Sequence, residues 1–166
     1  DQLKHQAKDL LRAARRGDAA AAGAFASHHP AASVPESVRL ADAQLVLARS
    51  YGAPSWPRLV HACELVDAIW RDDLEAVVTL VDRHPGMLHE DALVRSSNWG
   101  PPLTYAANLG RDRIIAALHE RGATDLMTAL DRAVLQGQVG TARRLHALLG
   151  SPLPPPDLLG GPAYTL

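Results

Sequence analysis

His89 and Glu90 begin as a zinc-protease helix begins, with an imidazole ligand beside a carboxylate that would serve as general base. The second histidine of that pattern must fall four residues after the first, and Leu93 stands there. His28 and His29 are chain neighbours that diverge on a helix, and no Cys/His spacing suits a zinc site. Cys63 follows His61 by two residues, which puts the imidazole on the wrong side of a helix to activate the sulfur. Cys63 therefore reads as a buried structural thiol. Asp72 and Asp73 are adjacent and cannot converge as a carboxylate pair from one helix. Gly160-Gly161 runs into Pro162 and lacks the lysine of a phosphate loop. These residues predict no enzyme, no cofactor and no bound metal.

Residues suited to recognition are of another kind. Gly86–Pro102 reads as the one long connection in the chain, and it carries Arg95, Ser96, Ser97, Asn98 and Trp99. Long connections in compact domains often bind, and tryptophan and arginine are enriched at binding hot spots. Trp99 has two readings, a partner contact or a cover over the seam between two helical units. Lys4, Lys8, Arg12 and Arg16 recur every fourth residue and draw a basic stripe along one helix. Such a stripe is usually a solvated face whose stems cover apolar surface.

The elements that carry these residues follow from composition. Of 166 residues 47% are hydrophobic but only 4% aromatic, so the core must come mainly from alanine, leucine and valine. Alanine and leucine are strong helix formers, and no useful run alternates apolar with polar. The predicted class is all-α. A net charge of −1 gives no overall attraction to nucleic acid or anionic membrane. There is neither a membrane-length apolar run nor the pattern of a signal peptide. Cys63 is the only cysteine, which excludes an internal disulfide and fits a reducing cytosol. Arginine outnumbers lysine fifteen to two, and with abundant alanine this suggests a GC-rich genome.

A repeat organises the helices. Leu10, Leu45, Leu65, Leu103 and Leu130 are each followed after three residues by Ala13, Ala48, Ala68, Ala106 or Ala133. After seven come Gly17, Gly52, Asp72, Gly110 and Gly137. Glycine makes up only 12 of 166 residues, so its recurrence in four of five slots marks a real repeat. The Leu/Ala spacing is one helical face, and glycine just past the end can take the left-handed conformation that closes it. A second apolar set follows each turn: Ala21, Ala22 and Phe25; Ala76, Val77 and Leu80; Ile114, Ile115 and Leu118; Thr141, Ala142 and Leu145. Each unit is helix, tight turn, helix. Leu11–Pro30 and Val66–Pro85 align without a gap, and both end in His-Pro, which stops a helix. The unit at Leu45 is partial, with Ser55–Asp72 running as one helix capped by Ser55.

Gly100-Pro101-Pro102-Leu103-Thr104-Tyr105-Ala106-Ala107-Asn108-Leu109-Gly110 resembles the opening of an ankyrin repeat, T-P-L-H-x-A-A-x-x-G. Ile114–Leu118 with Gly122-Ala123 resembles its second helix and closing G-A. The departures are Pro101 for threonine and Thr104 for histidine, two positions whose polar contacts normally tie down the first turn. Leu65–Pro85 and Leu130–Leu149 match more loosely, and Ala41–Pro57 resembles the helical segment that precedes the repeats in many bacterial ankyrin proteins. The resemblance implies a solenoid whose first helices and loops form a concave binding face. Near the first-helix ends it places Trp70, Arg71, Tyr105, Asn108 and Gln136 toward that face.

The expected organisation is a helix-turn-helix repeat solenoid of about five units, some partial. Residues 1–62 form a helical N-terminal capping segment and residues 63–150 the ankyrin-like repeats. Residues 151–166 are a Pro/Gly-rich tail or the start of a further repeat, since Gly161–Leu166 echoes Gly100–Tyr105. The expected function is a cytoplasmic scaffold that binds a partner protein, but neither nucleic acid nor membrane, through the concave face and the 86–102 loop. The rival is a regulatory or targeting segment of a larger enzyme or secreted effector. Leu145, Leu148 and Leu149 exceed what one covered face needs, so the expectation is that the repeats continue, that the C-terminal flank self-associates with a second copy, or that the tail covers it.

Overall fold

A computed structural model describes residues 2–94 and 99–150. Among the described residues there are nine α-helices and no strand. The chain divides into two compact units, Asp1–Ala62 and Cys63–Leu166.

The first unit holds α1 (Gln2–Arg15), α2 (Ala19–His28), α3 (Leu40–Ser50) and the opening of α4 (Trp56–Trp70). Ala7 and Ala14, one heptad apart, are buried on α1, whereas Lys4, Lys8, Arg12 and Arg16 are all exposed. Arg12 pairs with Asp9 at 2.9 Å, so the basic stripe is a solvated face. Phe25 is fully buried among Ala14, Ala21, Val38, Ala43 and Val46. Ala22, expected in this core, is exposed: the inward register of α2 runs Ala21, Phe25, and Ala22 lies a quarter-turn outside it. Ser55 caps α4, its hydroxyl accepting from the Arg58 N–H at 3.4 Å, and Pro57 falls in the first turn.

The second unit holds the rest of α4, then α5 (Leu74–Arg83), a 3-10 turn (Pro85–Leu88), α6 (Pro102–Asn108), α7 (Asp112–Glu120), α8 (Leu126–Leu135) and α9 (Val139–Leu149). Leu65, Ile69, Leu103, Ile114, Leu118, Leu130 and Leu145 lie fully or almost fully buried in one continuous core. The stretch expected to be a long loop from Gly86 differs. Met87 and Leu88 are buried in that core, which winds the first residues into a helical turn, and the Ala92 N–H donates to the Gly100 carbonyl at 3.0 Å.

Five turns share one geometry. Gly17, Gly52, Asp72, Gly110 and Gly137 all have positive φ, from 57° to 89°. In each, the next residue donates its N–H back to the carbonyl of the repeat's alanine: Asp18 to Ala13, Ala53 to Ala48, Asp73 to Ala68, Arg111 to Ala106 and Gln138 to Ala133. This bond satisfies a carbonyl that a helix end otherwise leaves open. Helix endings recur as well. The His29 N–H donates to Phe25 and the His84 N–H to Leu80, each just before a proline.

Candidate functional site

The ends of α4, α6 and α8 are linked by polar side chains. Trp70, the last residue of α4, donates its indole N–H to the Tyr105 hydroxyl at 2.8 Å. The Arg111 guanidinium donates to the last carbonyls of α4, at 3.2 Å to Ile69 and 2.6 Å to Trp70. On α6, the Asn108 amide donates to the Thr104 carbonyl and accepts from Arg132 of α8, both at 2.9 Å. Thr104 donates its N–H (3.0 Å) and its hydroxyl to the Asp125 carboxylate. These two bonds tie the first turn of α6 to the residue that precedes α8. On the second helices, the Thr141 hydroxyl donates to Asp112 at 2.7 Å and Arg121 pairs with Asp82 at 2.8 Å.

Against this frame the expected recognition residues separate. Trp70 is 51% exposed, and Arg71 and Gln136 are exposed beside their turns. Tyr105 and Asn108 are each 3% exposed. They lie beneath the surface and engage their polar atoms internally, so they support neighbours that reach solvent. Burial is the main reason that the Tyr105 phenol is pushed up; the Trp70 hydrogen bond lowers it and Asp67 raises it. Trp99 is half-buried against the core, its ring 5.1 Å from that of Tyr105 and tilted by 40°. Arg95 and Asn98 lie outside the described residues, as do residues 151–166 with the Gly161–Leu166 echo.

Three features escaped the sequence reading. Leu135 occupies the same repeat position as Trp70, two residues before the turn, and is 52% exposed. Asn108 holds that position too and is buried, so the position alone does not signal exposure. Arg111 and Arg132 act between helices, and no local spacing marks such a pair. Cys63 is exposed, not buried, because it sits on the outer side of α4 beside Glu64. Its thiol is pushed up by partial desolvation and then by the Asp67 and Glu64 carboxylates, which opposes a nucleophilic role.

At the C-terminal flank Leu145 is fully buried, Leu149 is half-buried on the core, and Leu148 and Val139 are 43% and 50% exposed. Among the described residues, no three His, Cys, Asp or Glu side chains gather as a metal ion would require, and no helix is long and apolar enough to cross a membrane. Comparison with known protein families, with curated proteins and with solved structures finds no match to this chain.

Proposed function

We propose that the chain is an ankyrin-like helical repeat array that holds a partner protein along the ends of its first helices. The observation that carries this reading is the pair Trp70 and Leu135. They are large apolar side chains at one repeat position, 51% and 52% exposed, on helices braced by part-buried hydrogen bonds. Exposed apolar groups on a rigid frame are what a hot spot needs, because little side-chain freedom is lost on binding. The shared turn geometry supports the repeat, and a stack of such units leaves one face free. The lone cysteine supports a reducing cytoplasm as the working compartment.

The experiment is affinity capture from the native host, followed by titration of the captured protein against variants. Trp70→Ala and Leu135→Ala should each weaken binding about tenfold, the scale of a hot-spot side chain. Binding unchanged by both variants would remove this face from the function.

A further inference from the structure

The α4–α5 hairpin carries a second surface. From Cys63 to Glu75 the chain has five carboxylates (Glu64, Asp67, Asp72, Asp73 and Glu75) against one guanidinium, Arg71, although the whole chain stands at −1. Glu64 and Asp67 share one face of α4, Arg71 follows just past its end, and Ala76, Thr79, Leu80 and Arg83 share one face of α5. They line an open groove of about 580 Å³ between the two helices. Asp73 and Glu75 complete an acidic lining broken by Arg71 and Arg83, with Ala76 and Leu80 supplying apolar surface. Trp70 precedes the lining residue Arg71 in the chain and lies one turn after Asp67 on α4, and its indole N–H is held by the Tyr105 hydroxyl.

We propose that this groove, together with the neighbouring Trp70, docks a basic segment of the partner protein, arginine side chains alternating with apolar ones. The inference rests on the scaffold reading above and names the chemistry of what is held. The carboxylates do not gather closely enough to share one metal ion. Spread along a groove, they match cations spaced along a polypeptide. Arginine suits both parts: its fork pairs with carboxylates and its plane stacks on an indole face. The field at this hairpin agrees, since Asp67 raises both the Cys63 thiol and the Tyr105 phenol, in each case after desolvation.

The test is fluorescence anisotropy with a labelled arginine–leucine alternating peptide and its glutamate–leucine counterpart. The basic peptide should bind saturably and the acidic one should not. Binding should weaken about tenfold in the combined Glu64→Gln, Asp67→Asn, Glu75→Gln variant, and again on raising salt from about 0.05 M to 0.5 M. Trp70→Ala should weaken it severalfold, and Trp70→Phe, which keeps a ring face, by less. All four substituted residues are at the surface, and thermal melts should match the wild type to within a few degrees. A basic peptide that fails to bind, or that binds the combined variant as well as the wild type, overturns the proposal. A host partner lost on Leu135→Ala but retained by the combined variant leaves the scaffold reading standing and overturns this one.

Discussion

Thr104 gives both its hydroxyl and its backbone N–H to one carboxylate oxygen of Asp125, joining the first turn of α6 to the residue that opens α8. Thr104 is fully buried, so an unanswered hydroxyl there would lack water as a substitute. Asp125→Ala should cost about 2–3 kcal/mol in urea unfolding, because it removes a charged acceptor from two donors. Thr104→Val alone should cost about 1 kcal/mol, and close to nothing in the Asp125→Ala background, where the hydroxyl is already orphaned. Equal losses in both backgrounds would show that the bond contributes no coupling.

The five left-handed turns give a reciprocal test. Gly110 and Gly137 have φ of +66° and +68°. A Cβ at Gly137 meets nothing within 4 Å, whereas one at Gly110 comes to 2.6 Å from the Gln138 amide oxygen. Gly137→Ala should therefore show backbone strain alone, about 1 kcal/mol. Gly110→Ala should cost slightly more, and Gln138→Ala should bring the two level, since a flexible side-chain end is the only obstacle. Asp72 holds the same conformation without being glycine (φ +57°). Asp72→Gly should stabilise by about 0.5–1 kcal/mol, the relief of a left-handed non-glycine residue. A loss at Asp72→Gly would mean that its carboxylate outweighs the strain.

Those turns were legible in the sequence because their cause is local: one residue type at one spacing sets φ, and the neighbouring alanine carbonyl is always within reach. Helix caps were legible for the same reason, as at Ser55. Exposure was less legible. Leu10 and Leu65 share a repeat position, yet Leu10 is half-buried and Leu65 fully buried, because burial depends on what packs from the next unit. Tyr105 and Asn108 read as surface residues from their place near a turn, and the structure buries them beneath Trp70, Trp99 and Arg132. Those partners lie six to thirty-five residues away in the chain, and no periodicity encodes them.

Cys63 offers a chemical test of the field at α4. Its thiol is exposed, yet pushed up by desolvation, Asp67 and Glu64. A raised thiol holds less thiolate at a given pH, and only the thiolate attacks iodoacetamide. At pH 8 alkylation should be slower than that of a free cysteine, and the rate should keep rising with pH beyond the point where the free thiol levels off. Asp67→Asn and Glu64→Gln should each speed the reaction without restoring the free rate, because desolvation is the largest cause. A rate equal to free cysteine in the wild type would contradict the local field.

Trp99 can act as a seam or as a contact, and two substitutions separate these roles. Its ring is half-buried against the core and lies on Tyr105, which in turn holds Trp70. Trp99→Ala should cost about 2–3 kcal/mol, less than the loss of a fully buried tryptophan. It should also free the Tyr105 ring, so any binding defect would arise at Trp70 rather than at Trp99 itself. Tyr105→Phe keeps the ring contact but removes the acceptor for the Trp70 indole. It should cost only about 1 kcal/mol while shifting the indole N–H resonance of Trp70 in NMR spectra. If Trp99 acts through this chain, Trp99→Ala moves the same resonance, and its binding defect is not additive with that of Trp70→Ala. A Trp99→Ala protein of unchanged stability, with an unmoved Trp70 resonance and an additive loss of binding, would instead make Trp99 a contact in its own right.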